Sequence, residues 1–321
     1  MKAVVYRQFG SPDVLQVEEI QKPTPKPDEV LVKIEAASVN AADWHLLRAE
    51  PFIIRFAGFG FLKPKHTILG SDIAGRVEAV GENVTSFKPG DEVFGDISGC
   101  GLGGFAEYVC TCADMLTLKP EGISFEEAAA VPLAAVTALH GLRDFCNIGE
   151  GKKVLINGAS GGVGSFAVQI AKAYGAEVTG VCSTRKMEMV RSIGADHIID
   201  HTKEDFTKNG QQYDIIFDTA AHHSMFDYKR SLNEGGTYLM VGGDKFLQAL
   251  ILGPSISLVG DKKLGTMTNT PNRKDLEIVR QMIEEGKIKP VIDRTFSLDQ
   301  TADAIRYLED GHAQGKVIIK A

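Results

Sequence analysis

A chain of 321 residues, 44% hydrophobic and 24% charged, is long enough for two domains or one large α/β unit. Its formal net charge of −7 opposes attraction to phosphate backbones and anionic lipid, which argues against nucleic acid and membrane as partners. No apolar run reaches the roughly 20 residues needed to cross a bilayer, the opening MKAVVYRQFG reads as a strand rather than a leader, and five cysteines make no disulfide framework, so a cytosolic (cytoplasmic) protein with reduced cysteines is expected.

Up to about Pro120 the chain reads as short β runs, at 2–7, 29–36, 73–80, 92–94 and 105–110, punctuated by turns such as Lys88-Pro89-Gly90-Asp91. This predicts a partly closed barrel. From Ser124 the rhythm changes. Ser124 and Glu127 have the spacing of a capping box and open an Ala-rich helix that carries Pro132. Strand-like runs then recur at 154–157, 177–182, 197–200, 213–218, 236–241 and 255–259, with helical patterns at 163–174, 187–193 and 226–232. Such alternation implies right-handed βαβ crossovers and a doubly wound parallel sheet. A further helix is expected from about Asn272 to Gly286, with Thr270 as its cap and Pro271 as its early proline.

The strongest local signal is the run from Val154 to Gly164, VLINGASGGVG, followed by SFAVQIAK. An apolar strand enters a glycine-rich turn that opens an amphipathic helix, and a second strand follows at 177. Gly158, Ser160, Gly161, Gly162, Val163 and Gly164 are therefore candidates to hold a pyrophosphate, which the turn lets approach closely and the helix dipole favours. Where an NAD site usually places an acid, the second strand ends in Ser183, Thr184, Arg185 and Lys186. Hydroxyls and cations there favour NADPH, the other reading being a solvated first helical turn.

With these motifs, the chain resembles the zinc-independent quinone oxidoreductase branch of the medium-chain dehydrogenase/reductase superfamily. The matching pieces include MKAVVYRQFGSPDVLQVEE, Ala37 to Asp43, Ile68 to Gly75, Phe87 to Gly95, Phe105 to Val109, Pro132 with Thr137-Ala138, and Gly315-Lys316-Val317. The resemblance implies an α/β protein with a GroES-like β-barrel catalytic domain, 1–123 with 292–321, and a Rossmann domain, 124–291. Zinc-dependent relatives carry Cys at the position of Asn40 and Gly-His-Glu at Gly70-Ser71-Asp72, and their later Cys ligand has no counterpart at 132–136, so no metal is expected.

The resemblance also implies Asn40, with Asp43 close by, near the nicotinamide ribose and the substrate, although a local cap is the competing reading of both. It implies Thr137, Gly242, Gly243 and Lys316 on the coenzyme, with His201 near its adenine end, although a lone His there reads equally as solvated. The implied activity is hydride transfer from NADPH to a small apolar quinone, enone or aldehyde. An enoyl-thioester or carbonyl reductase, and an NADPH-binding redox-sensing or interaction protein with little turnover, are the alternatives. The run 51–62, rich in Phe, reads as a lid over an apolar pocket or as a covering or subunit contact. Apolar residues 250–258 at the end of the strand series suggest a homodimer.

Overall fold

The computed structural model describes residues 1–56, 60–243, 260–267 and 270–321. They form two units, one of 1–133, 270–284 and 290–321, the other of 134–269 and 285–289.

The first unit is built on strands β1 (Lys2–Val5), β2 (Gln16–Glu19), β3 (Glu29–Val39), β4 (Asp72–Val80), β5 (Glu92–Asp96), β6 (Tyr108–Cys112) and β7 (Leu116–Leu118), with β14 (Ile292–Ser297) and β15 (Lys316–Lys320) from late in the chain. The main sheet runs β14-β15-β3-β4-β5-β7, and β6 also pairs with β3. The eleven-residue β3 is long enough to pair with β15 at one end, β6 at the other and β4 along its length. Alternate residues such as Val30, Val32 and Ile34 point inward and pack with Ile73, Phe105, Leu116, Val317 and Ile319. Helices α1 (Ala41–Arg48) and α2 (Phe125–Ala129) also belong here.

The second unit is a sheet of six parallel strands in the order β10-β9-β8-β11-β12-β13. They are β8 (Lys153–Asn157), β9 (Glu177–Cys182), β10 (His197–Asp200), β11 (Tyr213–Asp218), β12 (Leu232–Met240) and β13 (Lys263–Thr266). This order is the doubly wound Rossmann one, whose ligands bind at the carboxyl ends of the strands. Helix α3 (Pro132–His140) leads into the unit, and α4 (Gly162–Ala173), α5 (Met187–Ser192) and α6 (Met225–Arg230) connect its strands. Eight consecutive residues of α4, Gly164 to Ala171, are buried, so this helix is enclosed on most sides.

Several expectations need correction. Ser124 and Glu127 do form a capping box, but the helix they open, α2, ends at Ala129, so that Pro132 starts α3 instead, and α2 packs on β3, β4 and β15. It sorts with the first unit, and the division falls after Leu133 rather than before Ser124. The helix α7 (Arg273–Glu284) packs on β7 and also sorts with the first unit. Its cap is Asn272, whose Oδ1 accepts from the Asp275 N–H at 2.9 Å, so Thr270 is not the cap and Pro271 lies outside the helix. Residues 285–289 return to the second unit before β14, the helix α8 (Thr301–Glu309) and β15 close the first. The sulfurs of Cys100 and Cys112 are placed against each other, with Cα atoms 5.9 Å apart across 12 residues. Cys146 and Cys182 are buried thiols. The strand expected at 255–259 and the apolar run 250–258 lie outside the described residues. In the Phe-rich stretch the ring of Phe56 meets those of Phe52 and Phe61, and all three stand exposed.

Candidate active site

In the first unit, strand register gathers a buried polar cluster. Ser38 on β3 lies opposite Asp72 on β4, which lies opposite Asp96 on β5. Val39 lies opposite Val317, and this brings Lys316 of β15 to Asn40. Asp72 is fully buried. Its Oδ2 accepts from Ser38 Oγ at 2.9 Å, Asn40 Nδ2 at 3.0 Å and Lys316 Nζ at 3.3 Å, and its Oδ1 accepts from the Leu133 N–H at the start of α3 at 2.9 Å. Burial and the charge of Asp72 push the Asp96 carboxyl up to about 6.

Asn40 caps α1, and its carboxamide is held at both ends. Oδ1 accepts from the Lys316 ammonium, while Nδ2 donates to Asp72 and, at 3.3 Å, to Ser71 Oγ. The opposite amide orientation would set NH₂ against an ammonium and oxygen against a carboxylate, so the flip state is decided.

Asp43 follows three residues later at 1% exposure. Its two oxygens accept from the backbone N–H groups of Asn40 at 2.7 Å and of Gly70 at 3.0 Å. Burial nevertheless pushes its carboxyl up to about 7. The geometry gives Asp43 the capping role that competed with the catalytic one, and ties α1 to the turn before β4. That turn requires glycine. Gly70 has φ +91°, and an added Cβ would lie 2.8 Å from the Phe105 nitrogen.

Ser38, Asp72 and Asp96 escaped the sequence analysis as site residues, and so did two others. Ser71, known only from its place in the run, is a buried neighbour of the Asn40 amide. Tyr6, 37 positions from Asp43, is near enough that burial first and the Asp43 charge second raise its phenol above the ordinary range.

In the second unit, the glycine-rich turn sits at the carboxyl end of β8. Gly158 has φ +78°, which favours glycine. Gly161 is the N-cap of α4, so Gly162, Val163 and Gly164 form its first turn, where N–H groups lack partners inside the helix. A Cβ on Gly164 would fall 2.1 Å from the Gly158 carbonyl oxygen, so only glycine lets the helix approach the turn this closely. Ser160 is buried in the same turn.

The neighbouring strand ends complete the row. Thr219, after β11, donates to the Asn157 carbonyl at 2.9 Å, Val241 N–H reaches the Asp218 carbonyl, and a Cβ on Gly242 would lie 3.0 Å from the Thr219 oxygen. Gly243 pairs with Ala221 at φ +120°. On α3, the Thr137 hydroxyl is buried with no hydrogen-bond partner among the described residues. A buried orphan hydroxyl is costly unless a ligand meets it. With the glycine cradle, it makes this unit fit a dinucleotide.

At the end of β9, Ser183 precedes a short turn with Thr184 and Arg185 exposed and Lys186 buried. The expectation for Thr184 is corrected by Asp200, which β-pairing sets opposite Cys182. The Thr184 hydroxyl donates to Asp200, and so do the Thr202 N–H and hydroxyl. These bonds hold the Asp200 carboxyl far below the usual carboxylate range. Thr184 therefore has no hydroxyl proton left for a phosphate. The His201 N–H binds the Cys182 carbonyl beside this cluster, and its ring is exposed.

Comparison with known proteins agrees with both units. Residues 26–121 match the alcohol dehydrogenase GroES-like domain and residues 193–319 match a zinc-binding dehydrogenase family. The chain is 38% identical to a 2-methylene-furan-3-one reductase of Solanum lycopersicum, across 99% of this chain and 79% of that protein. It is 37% identical, with the same coverage, to a chloroplastic NADPH-dependent alkenal/one oxidoreductase of Arabidopsis thaliana. Among solved structures, the quinone oxidoreductase from Coxiella burnetii superposes with a TM-score of 0.89 at 28% identity, over 100% of this chain and 99% of that one.

Proposed function

Because the chain belongs to the quinone oxidoreductase branch of the medium-chain dehydrogenase/reductase superfamily, we propose that it is an NADPH-dependent enzyme reducing quinones or α,β-unsaturated carbonyls. The observation that carries this reading is the turn Gly158 to Gly164, at the carboxyl end of a parallel strand and opening a helix. When bound, NADPH supplies the hydride.

The second unit's residues bind and orient. The first turn of α4 meets the pyrophosphate, Arg185 and Lys186 meet the 2′-phosphate with Ser183, and Thr137 offers its hydroxyl toward the nicotinamide end. The first unit serves the substrate oxygen, on which negative charge develops as hydride adds to carbon. A proton, delivered after that charge forms, completes the two-electron reduction.

We also read the enzyme as independent of zinc. Asn40 and Ser71 offer an amide and a hydroxyl, poor zinc ligands, and the Lys316 ammonium beside them repels a cation. A homodimer is part of the same proposal, supported by β13 at the edge of the described sheet. A sedimentation mass near the chain's own 34.7 kDa would count against it. The deciding experiment follows NADPH absorbance with quinones, alkenals, enoyl thioesters and aldehydes. Turnover with the first two classes is expected. Turnover confined to enoyl thioesters would redirect the substrate assignment, and tight NADPH binding without any turnover would make the protein a binder.

A further inference from the structure

We infer that Ser71 is a catalytic residue, the hydrogen-bond donor that meets the charge developing on the substrate oxygen, with Asn40 and Lys316 acting through it as positioning residues. The inference rests on the reductase reading above.

Ser71 is 3% exposed, and its Oγ has one partner among the described residues, the Asn40 amide nitrogen at 3.3 Å. Nδ2 can only donate, so Ser71 is the acceptor and its own proton is unassigned. The other hydroxyl of the cluster differs. Ser38 Oγ gives its proton to Asp72 at 2.9 Å. A buried O–H that lacks an acceptor costs free energy comparable to a lost hydrogen bond, and a ligand that accepts from it recovers that cost.

The donors are linked in one direction. The Lys316 ammonium donates to Asn40 Oδ1, the same amide donates through Nδ2 to Ser71 Oγ, and the Ser71 O–H stands at the end. Each bond polarises the next, so an ammonium at the head strengthens the hydroxyl at the tail. The chain is also rigid. Asp72 holds Nδ2 and the ammonium together, and the Ser71 carbonyl is tied by the Ile97 N–H at 2.8 Å.

Such a fixed donor acts on a developing oxyanion without reorganising at the moment of reaction. As hydride adds to the β-carbon of an enone, the π electrons move to the carbonyl oxygen, and the Ser71 O–H shares its hydrogen with that oxygen. No proton leaves Ser71. The proton that completes the reduction comes from water.

The test compares Ser71→Ala with Ser71→Thr, which keeps the hydroxyl. Ser71→Ala should lower kcat with an alkenal about 100-fold, within the range for removing one oxyanion donor. It should leave the NADPH dissociation constant, read by fluorescence, within about twofold, below the tenfold loss of a good contact. Ser71→Thr should restore most of the rate. A second readout needs no turnover. With NADP bound, p-nitrophenolate, a stable oxyanion, should bind Ser71→Ala about tenfold more weakly than the unmodified protein, as expected for one lost hydrogen bond to a charge. Asn40→Ala should slow the unmodified enzyme but add little in the Ser71→Ala background, because both act through one donor. Equal loss in the Ala and Thr variants, an unchanged kcat and phenolate affinity, or fully additive Asn40 and Ser71 effects would overturn the proposal. Absence of NADPH oxidation by the unmodified protein with every acceptor would instead overturn the reductase reading.

Discussion

Lys316 and Asp72 form an ion pair 3.3 Å apart whose side chains are only 3% and 0% exposed. Removing one member of such a pair leaves a buried charge uncompensated, at a cost of about 3–5 kcal/mol. Lys316→Met should therefore lower the unfolding free energy in urea by about that amount. Adding Asp72→Asn should recover part of it, since the orphaned charge is gone. A Lys316→Met protein as stable as the unmodified one would show that the pair contributes nothing net.

The Asp43 carboxyl gives a pH dependence of defined sign. Burial raises it from an ordinary 3.8 to about 7 in the folded protein. The folded state therefore binds the proton more tightly, and this stabilisation, complete below about pH 4, is lost as pH rises through 7. Asp43→Asn cannot titrate. The stability gap between the unmodified protein and Asp43→Asn should be wider at pH 5 than at pH 8. A gap independent of pH would mean that Asp43 does not titrate in that window.

Coenzyme preference should depend on Arg185 more than on Thr184, whose proton is held by Asp200. A charge-assisted hydrogen bond contributes about 1.5–3 kcal/mol, or roughly 10- to 100-fold. Arg185→Ala should raise the KM for NADPH by about that factor and leave NADH nearly unchanged. Equal efficiency with both coenzymes in the unmodified protein would remove Arg185 from the coenzyme site.

Two glycines of the turn should separate folding from binding. A Cβ on Gly164 meets a backbone oxygen at 2.1 Å, whereas on Gly161 the same oxygen lies 3.4 Å away, an ordinary contact. Gly164→Ala should lower both the thermal midpoint and NADPH affinity. Gly161→Ala should hold its midpoint and lose affinity, because its added methyl makes only that ordinary contact in the folded chain and would crowd a pyrophosphate held at the turn. Unchanged affinity in Gly161→Ala would place the coenzyme elsewhere.

Prolonged dialysis against EDTA should leave the rate unchanged. Loss of activity that zinc alone restores would overturn the metal-free reading, despite Asn40 and Ser71.

What the sequence made legible was local. The strand β9 was expected at 177–182 and found there, and the turn to α4 followed from consecutive residues. Its errors were local competitions or distant pairings. Thr270 and Asn272 are both good caps, and only the bond to Asp275 decides between them. The capping box at Ser124 marked where a helix starts, but nothing in its pattern tells which sheet α2 will cover. Asp200 reaches Thr184 through strand pairing across 16 positions, and Lys316 reaches Asn40 across 276. Ser71 had no motif of its own.

The separation between Asn40 and Lys316 also bears on how the molecule is made. The second unit needs nothing beyond residue 289, whereas the first unit's central strand waits for β15 to occupy the edge of β3. On a ribosome emitting the chain in order, the nucleotide-binding sheet can form while the barrel still lacks a strand. Until Lys316 emerges, Asp72 has no cation, and its neighbours Asp43 and Asp96 add to an unbalanced acidic pocket. The ammonium thus acts as a closing signal. The contact that neutralises the site spans 244 positions, and its loop-closure cost is correspondingly large.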